Sequence, residues 1–480
     1  MFLVLTACTA GLGDVAFEEG GIAGTGAVTF EGRSGMAHVE WTDDDGTLMA
    51  TPEVDAANGR VSVLGLPAAT DLELSVVVVD GNKTLTSDPV EVRVIPARSV
   101  PAMQVLTDEA DRCTEGGYVL TSWIGEDGSG VGIVDRRGRW VWSFDIDAAE
   151  EGVRIGRARP GRDGASILYN LADAQLKEDY GETVRVAMDG SSETRTRTVN
   201  AHHDFVELPD GTQAWLSYSL REMTDAEFGS AAGACSLDGR GFDSDNDGVS
   251  DGCIVAVTTV MEGTEGDSTD HGEVVFDLFT DIPQAVTTHG APDNFLSWAY
   301  DWDHGNSLTY LPDEDAYYVM SRWLDVMWKV DRGTQSLAWQ LGGEHSDFTA
   351  SAEDKFVHAH MSDAWSGGML VYDNHNADEA GEQDGPTRIV EYAIDESAMT
   401  YEAVWSWQPD NSFDDILGDA RRMPVDGCDH TMVTRAADAK LVEVDSSGKV
   451  YWEIGSTQPG AILTRSQFIP DLYDFADAAY

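Results

Sequence analysis

Basic residues are scarce in this chain. Its 480 residues hold 30 Lys and Arg against 86 Asp and Glu, for a formal net charge of −56. A field of that sign repels polyanions, which excludes nucleic acid and a bare anionic lipid surface as partners. The acidity reads as a solvated surface, and an anionic substrate would need a locally basic pocket within it. Long apolar runs are missing too: no stretch of about 18 apolar residues occurs, so no membrane-spanning helix is expected. Helical periodicity is rare, whereas 49 glycines and many short alternating runs point to strands and turns.

Cysteine is sparse, at five. Leu5-Thr6-Ala7-Cys8 fits the cleavage box of a bacterial lipoprotein. It predicts lipid attachment at Cys8, with residues 1–25 a signal followed by a Gly-rich flexible tether. The protein would then sit in the periplasm or at the cell surface, meeting the membrane only through its anchor. The other four cysteines are an even number, which in an exported chain predicts two disulfides. Cys235 and Cys253 bracket one acidic loop and are expected to pair; Cys113 and Cys428 would join the first and last parts of the large domain.

Apolar residues make up 42% of the chain, with 14 Trp, enough for a large core. Residues 26–98 alternate apolar and polar in short runs and predict a small β-sandwich of immunoglobulin or fibronectin type, a module that can mediate a homodimer. Pro96 to Pro101 marks its end. From 103 to 480 one hairpin recurs, as in GIVDRRGRWVWSFDI, KVDRGTQSLAWQLGG and EVDSSGKVYWEIGS. The repeats predict an all-β fold, a β-propeller of six blades. Trp142, Trp339, Trp405 and Trp452 hold similar places in the repeat and are expected in the core. One unit is interrupted by GFDSDNDGVSDGC, in which Asp243, Asp245, Asp247 and Asp251 surround Gly248. Alternate carboxylates with a turn glycine supply hard oxygen ligands, so a structural calcium ion is expected there.

Histidine carries the chemistry. His202 and His203, His304, His358 and His360, and His430 each stand at or near the start of a strand-like unit. In a propeller the first strand of every blade lines the axis, so these imidazoles could meet. A metal centre is one reading. Against it, no carboxylate stands near each histidine to orient it, and Arg322 would share the site. Several histidines with one arginine suit a small oxyanion better.

The strings HHDFVELPDG, HGNSLTYLP with Ser-Arg following it, WQLGGEHSDF, and a Phe…His run ending in GGMLVYDN resemble the bacterial aryl-sulfate sulfotransferase family. The resemblance covers nearly all of 103–480 and implies a six-bladed propeller behind a small N-terminal β-sandwich. It implies transfer of a sulfuryl group from an aryl sulfate to a phenol by a ping-pong route through a sulfohistidine, with no nucleotide donor and no catalytic cofactor. The sulfate-accepting histidine falls on His358 or His360. His360 is preferred, since it stands four residues after Phe356. His304, Asn306 and Arg322 match in spacing, His203 rather than His202 matches the first histidine, and His430 matches more loosely. In these terms His360 is the nucleophile, His304 the acid/base, and Arg322 and His203 stabilise charge. Asn306, His202, His358 and His430 line the substrate. The rival reading is an idle, lipid-tethered propeller that serves as a binding scaffold.

Overall fold

The computed structural model describes residues 6–478 except 10, 110–112, 114–115, 147–152, 174–179, 225–239, 270–271, 282–295, 297, 376–384, 410–412 and 415. The fold is all-β with almost no helix, and among the described residues its strands make eight sheets.

Two sheets come from the N-terminal part. One holds Thr6–Thr9, Gly13–Glu19, Thr25–Thr29 and Arg60–Leu64. The other is built on Met36–Thr42 and Asp71–Asp80, with Leu48–Ala50 and Val90–Arg93 beside them. Alternation along these strands turns one face inward. Val15, Val28, Val61 and Val63 of the first sheet share a core with Val39, Trp41, Leu74 and Val76 of the second. Burying each such side chain contributes about 1.5–3 kcal/mol before entropy is charged against it. The Gly-rich stretch expected as a flexible tether is corrected here. Gly13–Glu19 is a paired strand, because Val15 and Phe17 alternate inward beneath Val28.

The remaining six sheets follow chain order, and each has an inner strand. Sheet I runs from Ile462–Ile469 through Tyr118–Gly125 and Gly128–Asp135 to Trp140–Ile146. Sheet II begins on Val153–Pro160, sheet III on His202–Glu207, sheet IV on Gly305–Leu311, sheet V on Met361–Trp365 and sheet VI on Asp419–Arg422. Neighbouring inner strands touch in this order, and sheet VI touches sheet I again, so the circuit closes. Strands in the middle of these sheets are covered on both faces, and every residue of Ala316–Ser321 is buried, whereas the edge strand Thr400–Trp407 is largely exposed.

Tryptophans link successive sheets. The Trp142 Nε1–H donates to the Met188 carbonyl at 2.8 Å, Trp405 to Ser446 at 2.8 Å and Trp452 to Arg136 at 2.6 Å. Each joins an outer strand to the turn of the next sheet. Two segments from opposite ends of the large unit seal the circuit. Ile462–Ile469 is the inner strand of sheet I, and Met103–Asp108 pairs with Val450–Ser456 at the edge of sheet VI. The expected Cys113–Cys428 disulfide is present beside that seam. Cys253 is also disulfide-bonded; its expected partner, Cys235, lies outside the described residues.

Candidate active site

Three inner strands begin at one place with a histidine at or beside the start, and the turn before a fourth reaches the same place through Leu417. His203 opens sheet III, His304 immediately precedes Gly305–Leu311, and His360 immediately precedes Met361–Trp365. The His203 ring lies 4.8 Å from that of His304 and 5.9 Å from that of His360, centre to centre. The chain turns into these strands through left-handed residues: His203 at φ 49°, His304 at 51°, His358 at 51° and, before sheet VI, Leu417 at 63° with Gly418 at 105°. Histidine tolerates this region better than most side chains, which helps explain its use at the turns.

Hairpin length explains the motif spacing. The chain leaves His304 along Gly305–Leu311 and returns along Ala316–Ser321, so Arg322 comes back beside it and its backbone N–H donates to the His304 carbonyl at 3.1 Å. Asn306 is buried and its Nδ2 donates to the Ala359 carbonyl at 3.0 Å, tying sheet IV to the turn that carries His360. The Asp-Asn pair after Gly368–Asp373 works in the same way. Asp373 accepts from the Val357 N–H at 3.0 Å, and Asn374 donates to the carbonyls of Asp414 and Leu417 at 2.8 and 3.1 Å.

Each ring has defined partners. His304 Nδ1 bonds Asp301 Oδ2 at 2.5 Å, and Trp323 Nε1 donates to the same oxygen at 3.3 Å. A carboxylate thus orients a site histidine, contrary to the expectation that none stands near; the turn Asp301–Asp303 folds it back. His360 Nδ1 accepts from the Leu417 N–H at 3.0 Å, while its buried Nε2 has no hydrogen-bond partner among the described residues. His202 stands behind the cluster, its Nδ1 2.9 Å from His203 Nδ1 and its ring stacked on Tyr218 at 3.9 Å. His358 meets the edge of Trp323, whose other neighbours are His304 and the Arg322 guanidinium 4.7 Å away.

Burial favours the neutral form of His202, His203 and His360. It pushes His202 down to about 3, aided by the charge of His304. Burial and then His304, His202, His360 and Arg465 hold His203 well below the usual value. For His360 burial is again the largest cause, followed by Arg322, Arg465 and His304. Burial, reinforced by Asp301, raises Asp303 to about 7.

A basic layer adjoins the histidines and was not anticipated. Arg157 and Arg159 of sheet II and Arg465 of sheet I all bond the buried Asp204 carboxylate, at 3.0, 3.0 and 2.9 Å. Burial pushes Asp204 up, but these guanidiniums together hold it well below the usual carboxylate range. Arg465 also donates to the Asn306 carbonyl. Arg421 of sheet VI bonds Asp363 at 3.2 Å. Four guanidiniums therefore face the Asp204, Asp363 and Asp419 carboxylates along the inner strands, a local excess of positive charge inside a strongly acidic chain. The signal was an arginine set in an apolar strand, as at Arg157, Arg159 and Arg465, in a chain with few bases.

His430 does not join the cluster, a correction to its expected role in substrate binding. It precedes Thr431–Arg435, the second strand of sheet VI, which pairs antiparallel to the inner strand with Arg422 opposite Thr431. That puts His430 past the far end of the inner strand, on Glu443 at 2.6 Å and Tyr451, near Cys428. In the acidic loop, Asp243, Asp245 and Asp251 bring carboxylate oxygens within 4.8 Å of one another. Asp247 Oδ1 instead accepts from the Val249 N–H at 2.8 Å.

No curated protein matches this chain in sequence. Similar solved structures include the β-propeller domain of Cps50 (Swd1) from Myceliophteria thermophila, at 10% identity over 75% of this chain and 89% of that one, with a TM-score of 0.37. The periplasmic gluconolactonase PpgL of Pseudomonas aeruginosa is 13% identical over 90% of this chain and 98% of its own, also with a TM-score of 0.37. Residues 239–449 match the model of the arylsulfotransferase (ASST) family; the matched stretch holds His304, Asn306, Arg322 and His360 and supports a sulfotransferase-type function.

Proposed function

We propose that the chain moves a sulfuryl group from an aryl sulfate to a phenol by way of a sulfohistidine at His360, without a nucleotide donor. The observation that carries this reading is the meeting of His203, His304 and His360 with Arg322 at the start of the inner strands, where burial holds His203 and His360 well below the usual imidazole range. A neutral imidazole attacks sulfur as a nucleophile, and splitting the transfer into two displacements spares donor and acceptor from meeting. Arg322 forks onto the sulfonyl oxygens, and His203 donates as charge spreads over them. His304, oriented by Asp301, protonates the departing phenolate and deprotonates the acceptor. Asn306 and His358 hold the walls, and His202 backs His203. Mass spectrometry after brief exposure to an aryl sulfate tests this reading. A sulfuryl adduct on the peptide that contains His358 and His360, lost in His360→Ala, is expected. An active His360→Ala would overturn the assignment.

In this reading the six circuit-forming sheets are the blades of one propeller, and the two N-terminal sheets form a sandwich, extended at its start by Gly13–Glu19. Calcium is held in a structural role by Asp243, Asp245 and Asp251, with Asp247 beside them. A lipid on Cys8 tethers the protein in the periplasm or at the cell surface, and the sandwich is the face available for a homodimer.

A further inference from the structure

His430 lies away from the histidine cluster, yet its ring is held as firmly as any within it. Nδ1 bonds Glu443 Oε1 at 2.6 Å, and Arg136 pairs with the other oxygen of that buried carboxylate. The Tyr451 ring covers the imidazole at 4.7 Å, centre to centre. A carboxylate that takes Nδ1–H fixes the ring and leaves the Nε2 lone pair for another partner. Histidines that ligate metals are commonly oriented in this way.

Two sulfurs stand beside it. The ligand atoms of Cys113, Cys428 and His430 all lie within 4.8 Å of one another. Cys428 and His430 belong to the loop between the first two strands of sheet VI, which is pinned at both ends. The Cys428 N–H donates to the Val425 carbonyl at 3.0 Å, and the Met423 N–H donates to the His430 carbonyl at 3.0 Å. Both cysteines are half-buried, so a reductant and an ion can reach them, while His430 is buried behind them. A disulfide by itself has no use for an oriented imidazole.

We propose that Cys113, Cys428 and His430 form a zinc site that takes over the seam when the Cys113–Cys428 bond is reduced. The step balances. The S–S bond accepts two electrons and two protons from a dithiol, which becomes a disulfide. Zinc then displaces both thiol protons and binds two thiolates and His430 Nε2, with water as the fourth ligand of a tetrahedral ion. The thiolates neutralise the charge of the ion, and Asp429, whose Oδ1 stands 4.0 Å from Nε2, adds negative charge nearby. Thiolate and imidazole favour zinc over calcium and magnesium, whereas the all-carboxylate acidic loop favours the hard ions. Residues 113 and 428 stay linked through the ion, so the closure of the circuit survives the loss of its covalent tie.

Cobalt(II) is the probe, because thiolate bound to it gives an intense charge-transfer band and carboxylate does not. The full chain is reduced with a phosphine, which offers no thiol of its own, and titrated with cobalt(II). The oxidised protein should show no band, and the reduced protein a band that saturates at about one ion per chain. His430→Ala should weaken binding at least about tenfold, and the Cys113→Ser, Cys428→Ser double variant should abolish the band. No band in the reduced parent would overturn the proposal. So would a band that persists in the double variant, which places the ion on other cysteines, or an unchanged affinity in His430→Ala. Where a variant does not fold, X-ray absorption of zinc bound to the reduced parent decides. Two sulfurs at about 2.3 Å with an imidazole nitrogen at about 2.0–2.1 Å support the site, and a shell that lacks either refutes it.

Discussion

Arg322 shows how much one side chain contributes here. It is buried, its backbone is bonded to His304, and its guanidinium lies over Trp323. Arg322→Lys keeps the charge and loses the planar fork, so turnover of an aryl sulfate should fall at least about tenfold. Unchanged turnover would mean that Arg322 does not hold the transferring group. Two other residues set opposite pH slopes on stability. His202, at 6.5 when unfolded and about 3 when folded, binds its proton more readily in the unfolded chain. Its contribution is therefore complete above pH 6.5 and is lost as the pH falls toward 3. Asp303, at 3.8 unfolded and about 7 folded, binds its proton more readily in the folded chain, so its contribution declines as the pH rises from 3.8 to 7. Across the overlap the two oppose each other. Asp303→Asn keeps an acceptor for the Thr258 N–H and removes the falling slope. Its melting temperature should rise more steeply than the parent's between about pH 4 and 6.5; parallel curves would show that Asp303 does not titrate in this window.

At the scale of the element, the outer hairpins were legible in sequence because each repeats an aspartate turn between two apolar runs, as in Gly128–Asp135 with Trp140–Ile146 and Val326–Asp331 with Ser336–Gly342. His304 and Arg322 were legible because one hairpin length separates them. His430 misled because the same pattern of a histidine before an apolar run also occurs on a second strand, and sequence alone does not say which strand is innermost. Asp301 and Leu417 were missed because nothing in composition marks a turn that folds a carboxylate or an N–H onto a neighbour from another sheet. The acidic loop remains an element to test by ion removal. Asp243, Asp245 and Asp251 lie close enough to repel one another, and a bound cation offsets that repulsion and stabilises the loop by mass action. Chelation should lower the melting temperature or expose residues 240–252 to protease, while the sulfation of His360 persists. If chelation changes neither melting nor protection, the loop binds no calcium.

For the whole molecule, closure of the circuit is the decisive event, and it depends on parts of the chain far apart in sequence. Ile462–Ile469 joins Tyr118–Gly125 as the inner strand of sheet I, and Met103–Asp108 joins Val450–Ser456 at the outer edge of sheet VI. This is also why Arg465 was invisible as a site residue: the strand that brings it to Asp204 and Asn306 arrives last along the chain. The Cys113–Cys428 bond spans 315 residues at the same seam. A cross-link over so long a loop removes much of the freedom of the unfolded chain, and its loss should cost about 2–5 kcal/mol. Cys428 lies near His430, at the end of sheet VI remote from the histidine cluster. The Cys113→Ser, Cys428→Ser double variant should therefore unfold at lower denaturant yet, while folded, turn over an aryl sulfate at close to the parent rate. Unchanged stability would mean that strand pairing alone holds the seam. Lost turnover in a protein that stays folded would mean that the seam sets the geometry of His360 and Arg322 from the far end of the circuit.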